Sequence, residues 1–305
     1  SRTALQSIMG RFQYGFNDRY LMTLTVRRDG YSAFGKNRKY GNFPSAAIAW
    51  RIEQEDFMKN LPSISQLKLR LSYGKNGNQA ISPYSSQAKV STSVPYSFGS
   101  SSTAVYGFLP VTIANSKLGW ETTTSSNIGL DFGLFKDRIT GTVEFYQAKT
   151  SDILLTRGIP FTTGFSSIYD NIGKTQNDGI EFAINSVNFN NEKGFQWTTN
   201  LNVSFNKNKI VDLYGDKKDD LGNAWFIGKP VHVIFDYVFD GIWQESDDIA
   251  NSSQPTALPG EARVKDISGP DGIPDGKITA LDRKIIGYTD PKFIFGFTNN
   301  FQYKN

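Results

Sequence analysis

The chain has 305 residues, a net charge of +4, no cysteine and one histidine. It therefore has no disulfide framework and no thiolate metal site, and no basic block long enough to mark a nucleic-acid partner. No stretch reaches the ~20 apolar residues of a transmembrane helix, but that test is nearly blind to β-barrels, whose lipid-facing and lumen-facing residues alternate.

The opening SRTALQSIMGRFQYG lacks the charged-then-apolar layout of a signal peptide and reads as already inside a strand. Phe12, Tyr14 and Phe16 alternate with Gln13 and Gly15. Tyr20, Met22, Leu24 and Val26 alternate with Leu21, Thr23, Thr25 and Arg27. Ala46, Ile48, Trp50 and Ile52 follow Pro44. The series continues with Leu67, Leu69, Leu71 and Tyr73; with Ile128, Leu130, Phe132 and Leu134; and with Ile139, Val143 and Phe145. Ile180, Phe182 and Ile184 come next, then FQWTTNLNVSFNKNK (195–209), and Phe293, Phe295, Phe297 and Phe301 close it. A period of two makes each segment a strand with one apolar and one polar side. These are about nine strands of roughly ten residues, the length of a membrane strand rather than of the shorter globular one. Helix signals are scarce, and EQEDFMKNL (53–61), a turn or two long between strands, is the best of them.

The connections alternate in length. ND (17–18), 53–64, KD (136–137) and NNEKG (190–194) are short; 30–42, 76–120, 151–176 and 208–291 are long. Short turns on one side and long loops on the other mark an outer-membrane barrel, which assigns the long loops to the extracellular side. Within 208–291, VIFDYVFDGIW (233–243) must then be a strand of the loop rather than of the wall. The contrasting reading is a soluble β-rich adhesin or carbohydrate-binding module. A hydrolase reading finds no nucleophile–base arrangement, so no enzyme activity is expected.

Several stretches carry a resemblance: YGFNDRYLMTLTVRRDGYSAFGKNRKYGNFPSAAIAWRI, QLKLRLSYGKNGNQAI, LGWETTTSSNIGLDFGLFKDRITGTVEFYQAKTSDIL, NIGKTQNDGIEFAI and DGKITALDRKIIGYTDPKFIFGFTNNFQYKN. Together they resemble SusC/RagA-type TonB-dependent outer-membrane transporters of the Bacteroidetes, over essentially the whole chain. The resemblance implies an all-β fold. Residues 1–305 would be a partial antiparallel wall from the C-terminal part of a 22-stranded barrel, without the plug or the TonB box. It further implies energised nutrient import, usually of glycans and in some members of peptides. The implied partners are a SusD-like surface lipoprotein, the TonB complex, and outer-membrane lipid or lipopolysaccharide. The wall's open edges predict that residues 1–305 aggregate when expressed alone.

The sharpest local motif is DISGPDGIPDGKITALD (266–282), inside the 208–291 loop region. From Asp271 it follows a calcium-loop spacing, with Asp271, Asp275, the Lys277 carbonyl, Thr279 and Asp282 at positions 1, 5, 7, 9 and 12 and Gly276 at 6. Position 3 is Ile273, so Asp266 or Ser268 would have to supply the missing oxygen. The spacing predicts a structural calcium that stiffens the loop. The alternative is a metal-free Gly/Asp turn whose carboxylates cap the chain. No other cofactor is required. His232 has no second histidine or cysteine for a zinc site and reads as structural or surface. Asp219/Asp220 and Asp247/Asp248 are adjacent on polar loops and do not flank a cleft as glycosidase carboxylates do. The loop aromatics Tyr84, Tyr96, Tyr106, Trp225, Tyr237 and Trp243, with Phe165 and Tyr169, are the candidates to stack on a sugar or peptide. The basic loop GKNRKYG (35–41) faces either lipopolysaccharide phosphate or solvent.

Overall fold

The computed structural model describes residues 2–97, 104–191, 194–269 and 273–304. Nine strands form one antiparallel sheet: β1 (Leu5–Phe16), β2 (Tyr20–Tyr31), β3 (Tyr40–Arg51), β4 (Ile64–Asn78), β7 (Glu121–Leu134), β8 (Ile139–Gly158), β9 (Ser167–Asn190), β10 (Phe195–Asp212) and β15 (Ile294–Tyr303), in that spatial order. The nine segments with period-two alternation are these nine strands. Two further strands, β5 (Lys89–Ser97) and β6 (Ala104–Thr112), pair within the 76–120 connection.

The short connections use the tight turns their sequences suggest. Asn17 and Asp18 both take φ 51°, the left-handed pair that a twisted two-residue hairpin requires. Phe135, Lys136 and Asp137 also have positive φ, and Ser65 Oγ donates to Asp137 Oδ1 at 2.6 Å. The 53–61 stretch forms two single 3₁₀ turns, Ile52–Gln54 and Asp56–Met58, instead of an α-helix. Glu55 pins that turn to the sheet: it accepts from Tyr20 Oη at 2.7 Å, Trp50 Nε1 at 2.9 Å and Arg19 Nη1 at 3.0 Å. The 190–194 turn lies partly outside the described residues.

One connection is shorter than its composition suggests. β8 runs on to Gly158 and β9 begins at Ser167, so most of 151–176 is strand. Polar residues such as Thr150, Thr175, Asn171 and Asp170 pair in a ladder there. Their polarity reads as loop in sequence but follows from leaving the apolar belt.

The register aligns the two sides. Tyr14, Met22, Ile48, Leu71, Ile128, Phe145, Ile180 and Phe205 oppose one another in a single row from β1 to β10. Leu69, Leu130, Val143, Phe182, Val203 and Phe295 form the row beside it. This apolar face is uncovered: Phe295 is 63% exposed and Phe297 61%. A contiguous exposed apolar face of this extent marks a surface meant for lipid or protein. The other face carries Gln13, Thr23, Ala47, Ser72, Asn127 and Asn206.

The apolar belt crosses these rows obliquely. On β1 it reaches Ile8, above the Tyr14 row; on β10 it stops at Phe205, where Lys207 follows, and extends down to Trp197. Its edge therefore moves by roughly one residue per strand, and 3.3 Å per 4.8 Å of strand spacing is an inclination of roughly 35°. Outer-membrane strands tilt by a similar angle.

Residues Asp219–Pro291 form a separate compact unit; Ser1–Lys218 with Lys292–Asn305 form the other. The smaller unit contains β11 (Val233–Tyr237) paired with β14 (Arg283–Tyr288), and β12 (Phe239–Ile242) paired with β13 (Ala262–Val264). Neither pair joins the nine-stranded sheet, so 233–243 is a strand region of the insertion, as the side assignment required.

Candidate functional site

On the polar face a charged network spans β4, β7 and β8. Arg70 lies across the wall from β4, and its Nε and Nη2 donate to the two carboxylate oxygens of Asp131 on β7 at 2.9 and 2.8 Å. Arg70 also meets Glu144 on β8, Lys68 lies 3.7 Å from Asp131, and Asn127 Nδ2 donates to Glu144 at 3.2 Å. Gly129 makes the crossing possible, because a Cβ there would sit 2.9 Å from the guanidinium. The fork-to-carboxylate geometry fixes these side chains against the sheet. Around them the face is hydroxyl- and amide-rich. Thr123 and Thr150 hydroxyls share a 2.8 Å hydrogen bond, and Tyr146 Oη donates to Asn206 at 3.2 Å.

At the long-loop end of the sheet, three connections are sewn together. Phe34, Phe43 and Trp120 form a buried cluster, with ring centroids 5.2 and 5.3 Å from Trp120. Trp120 Nε1 donates to the Lys39 carbonyl at 3.0 Å, and Gly35 N–H donates to the Leu118 carbonyl at 2.9 Å. Asn171 makes a reciprocal pair with Gly119: the Gly119 N–H donates to Oδ1 at 2.8 Å and Nδ2 donates to the Gly119 carbonyl at 3.0 Å. Its Nδ2 also donates to the Asp152 carbonyl at 2.8 Å. Asn115 Nδ2 donates to the Tyr169 carbonyl at 2.7 Å, and Ser86 Oγ to the Ala33 carbonyl at 2.8 Å. The buried Gly119 backbone groups, which would otherwise be orphaned, are thus satisfied by an amide side chain. The loops form a platform. Beside it lies a cleft of about 410 Å³ lined by Arg2, Lys36, Lys39, Tyr84 and Gln87.

Within the larger unit the sequence-predicted aromatics lie on different elements. Tyr84 lines that cleft and is 46% exposed. Tyr96 and Tyr106 sit on the β5–β6 hairpin; the Tyr96 ring lies over Gly107, and Tyr106 is 68% exposed. Tyr169 is exposed on β9, while Phe165 closes the turn after Phe161–Thr163 with its N–H on Thr163 Oγ1. Trp225, Tyr237 and Trp243 belong to the smaller unit. Trp225 is half-buried and pairs through its backbone with Asp220; Tyr237 is half-buried in β11. Trp243 corrects its expectation. It is buried, with the Arg263 guanidinium 5.4 Å above its ring, so it serves packing and offers no open face for stacking. His232 is exposed, 3.4 Å from Asp290.

The described part of the 266–282 turn is built around Asp282. Asp282 is fully buried. Its Oδ1 accepts from the Ile267 and Ser268 N–H groups at 2.9 and 3.0 Å, and its Oδ2 from the Thr279 N–H at 2.7 Å and Thr279 Oγ1 at 3.2 Å. Thr279 accepts in turn from the Leu281 N–H at 3.2 Å, completing a capping box. Four protein donors fill the Asp282 lone pairs and leave none for a cation. Asp266 Oδ2 accepts from the Gly276 N–H at 2.6 Å and Asp275 Oδ1 from the Lys277 N–H at 3.1 Å. Asp266 Oδ1 is buried without a partner. Asp271 lies outside the described residues, and among the described ones no three acidic or histidine groups converge on a metal position. The described residues thus form the capping alternative, with Asp282 taken up by protein donors. The Asp282 carboxyl is held below the usual carboxylate range by the Thr279 backbone hydrogen bond, supported by those of Ile267 and Ser268.

Comparison with known proteins follows this geometry. The family model described as TonB dependent receptor-like, beta-barrel matches residues 1–254. TonB-dependent receptor P3 of Formosa agariphila is 39% identical, over 100% of this chain and 31% of its own length. TonB-dependent receptor SusC of Bacteroides thetaiotaomicron is 33% identical, over 100% of this chain and 30% of its own. Among solved structures, the RagAB peptide transporter superposes with a TM-score of 0.80 at 26% identity, covering 99% of this chain and 32% of that one. The chain thus spans about a third of the length of the relatives it matches.

Proposed function

The chain belongs to the TonB-dependent receptor β-barrel family, in its SusC/RagA type, and on that premise we propose that it is wall and outer loops of an outer-membrane importer of oligosaccharides. The uncovered apolar face meets lipid, the polar face lines the lumen, and the loop platform faces the medium. The carrying observation is the division between the two faces: one side has apolar rows across all nine strands, the other hydroxyls, amides and a neutralised Arg–carboxylate network. A hydrated, hydroxyl-rich wall suits a polyhydroxylated solute, which exchanges water hydrogen bonds for similar ones without a large desolvation cost. Tyr84, beside cationic and amide groups in the platform cleft, is the aromatic placed to stack on a sugar ring. A SusD-like lipoprotein would close over the platform, and TonB would supply the energy through parts of the protein outside this chain. No step requires the protein to make or break a covalent bond, so the reading is of a transporter and not an enzyme.

Peptide import is the second reading, favoured by the likeness to the RagAB peptide transporter. Uptake by cells carrying the full-length protein separates them. Oligosaccharide uptake that stops when the proton gradient is collapsed, and falls about tenfold with Tyr84→Ala from loss of a stacking contact, is the expected result. Peptide uptake in its place selects the second reading. Uptake indifferent to the gradient would overturn both.

A further inference from the structure

The lipid-side face of β7–β10 changes character sharply above the apolar belt. Ile128, Phe145, Ile180 and Phe205 form the last apolar row there. In the next row Gln147 opposes Asp178 and Asp178 opposes Lys207. In the row beyond, Lys149 opposes Gln176 and Gln176 opposes Lys209. The first two rows line a groove of about 550 Å³, and Lys292, just before β15, stands at its rim. Four lysines thus gather around one carboxylate. Asp178 is already occupied by amides: Gln147 Nε2 and Gln176 Nε2 each donate to it at 2.7 Å. Among the described residues, ion pairs within 4 Å involve other cations.

Lysines that only snorkel from a membrane surface are scattered around a barrel. Here they cluster over an apolar groove, a pairing of charge and hydrocarbon surface that matches a ligand with a phosphate head and acyl chains. Ammonium groups bind phosphate as point charges, and the Ile128–Phe205 row gives the chains a surface. The geometry points to this patch as a binding site for a phosphorylated, acylated lipid of the outer leaflet. It rests on the orientation proposed above, in which the long-loop end faces the medium.

The test uses the full-length transporter in detergent, titrated with monophosphorylated lipid A and followed by native mass spectrometry. Lys149, Lys207 and Lys209 are replaced together by Gln, which removes the charge, keeps a polar side chain and leaves the sheet register alone. The expected result is at least about a tenfold loss of affinity, since each of the three lysines contributes separately to attraction for an anionic surface, with solute uptake unchanged. Unchanged lipid affinity overturns the proposal. Equal binding of dephosphorylated lipid A also overturns it, because the lysines would then read nothing. So does equally tight, lysine-dependent binding of inorganic phosphate alone, because the apolar row would then be irrelevant. Labelling of Lys136→Cys, on the short 136–137 turn at the opposite end of the sheet, by an impermeant maleimide on intact cells separates the premises. An inaccessible turn without lipid binding sinks only this inference, while a turn labelled from the medium sinks the orientation on which it stands.

Discussion

At the scale of single residues, amides and one aspartate fix the loops. Asn171 ties β9 to the 76–120 connection, through Gly119, and to β8, through Asp152. Asn171→Ala should leave buried backbone groups unpaired at a cost of about 1–3 kcal/mol. The readout is faster hydrogen exchange at Gly119 and its neighbours in the full-length protein; unchanged protection would contradict the platform. Asp282 gives a pH prediction. Its carboxyl is depressed by hydrogen bonds present only in the folded turn, so its stabilisation is complete above the ordinary carboxylate pKa of about 3.9 and is lost as pH falls through the lower folded value. Amide protection at Ile267, Ser268 and Thr279 should hold down to about pH 4 and fail below it, and Asp282→Asn should remove that pH dependence. These residues were hard to read in sequence. Asn115 and Asn171 look like ordinary loop polarity, because their partners lie about fifty positions away in the chain. Asp282 sits at a calcium-loop position, and the same Asp–Gly spacing serves a capping box. Only the buried amides around Asp282 separate the two.

At the scale of elements, alternation was readable because a face that meets only one environment tolerates no exceptions. The opposition of Leu201, Val203 and Phe205 to Asn200, Asn202 and Asn206 survives in the register with β9. A lysine at Val203 should cost ~2–4 kcal/mol near mid-membrane, while one at Asn202 should cost little. Unfolding of the full-length protein from bilayers measures both, and equal tolerance would contradict the face assignment. The strand ends were less legible. Beyond the belt, β8 and β9 pair Thr150 with Thr175, Ile153 with Gly173, Leu154 with Asn171 and Leu155 with Asp170, with register shifts between them, so the residues give no period-two signal there although the backbone ladder continues. The 53–61 stretch has helical residues but closes into 3₁₀ turns, because Glu55 is held by Arg19, Tyr20 and Trp50.

At the scale of the whole molecule, the claim is that the oblique apolar belt is the mark of tilted strands in a membrane. One face of this sheet is apolar from edge to edge and does not suit water. Among the described residues β1 and β15 each pair on one side only, leaving edge groups that cost several kcal/mol each in lipid. Residues 1–305 expressed alone should therefore aggregate, and a soluble monomer melting cooperatively would speak against a membrane wall. The most direct measurement compares depth. Tyr14 and Phe205 lie in one register row, seven strands apart in the sheet order. With strands inclined by roughly 35°, the row should climb about 19 Å between them. Single-cysteine spin labels at these two positions in the full-length transporter, reconstituted in bilayers, report their depths by accessibility to oxygen and to a polar relaxant. The account predicts Tyr14 within the hydrocarbon and Phe205 close to the opposite interface from Phe16, separated by about that distance. Equal depths at the two positions, or water-like accessibility at both, would contradict it.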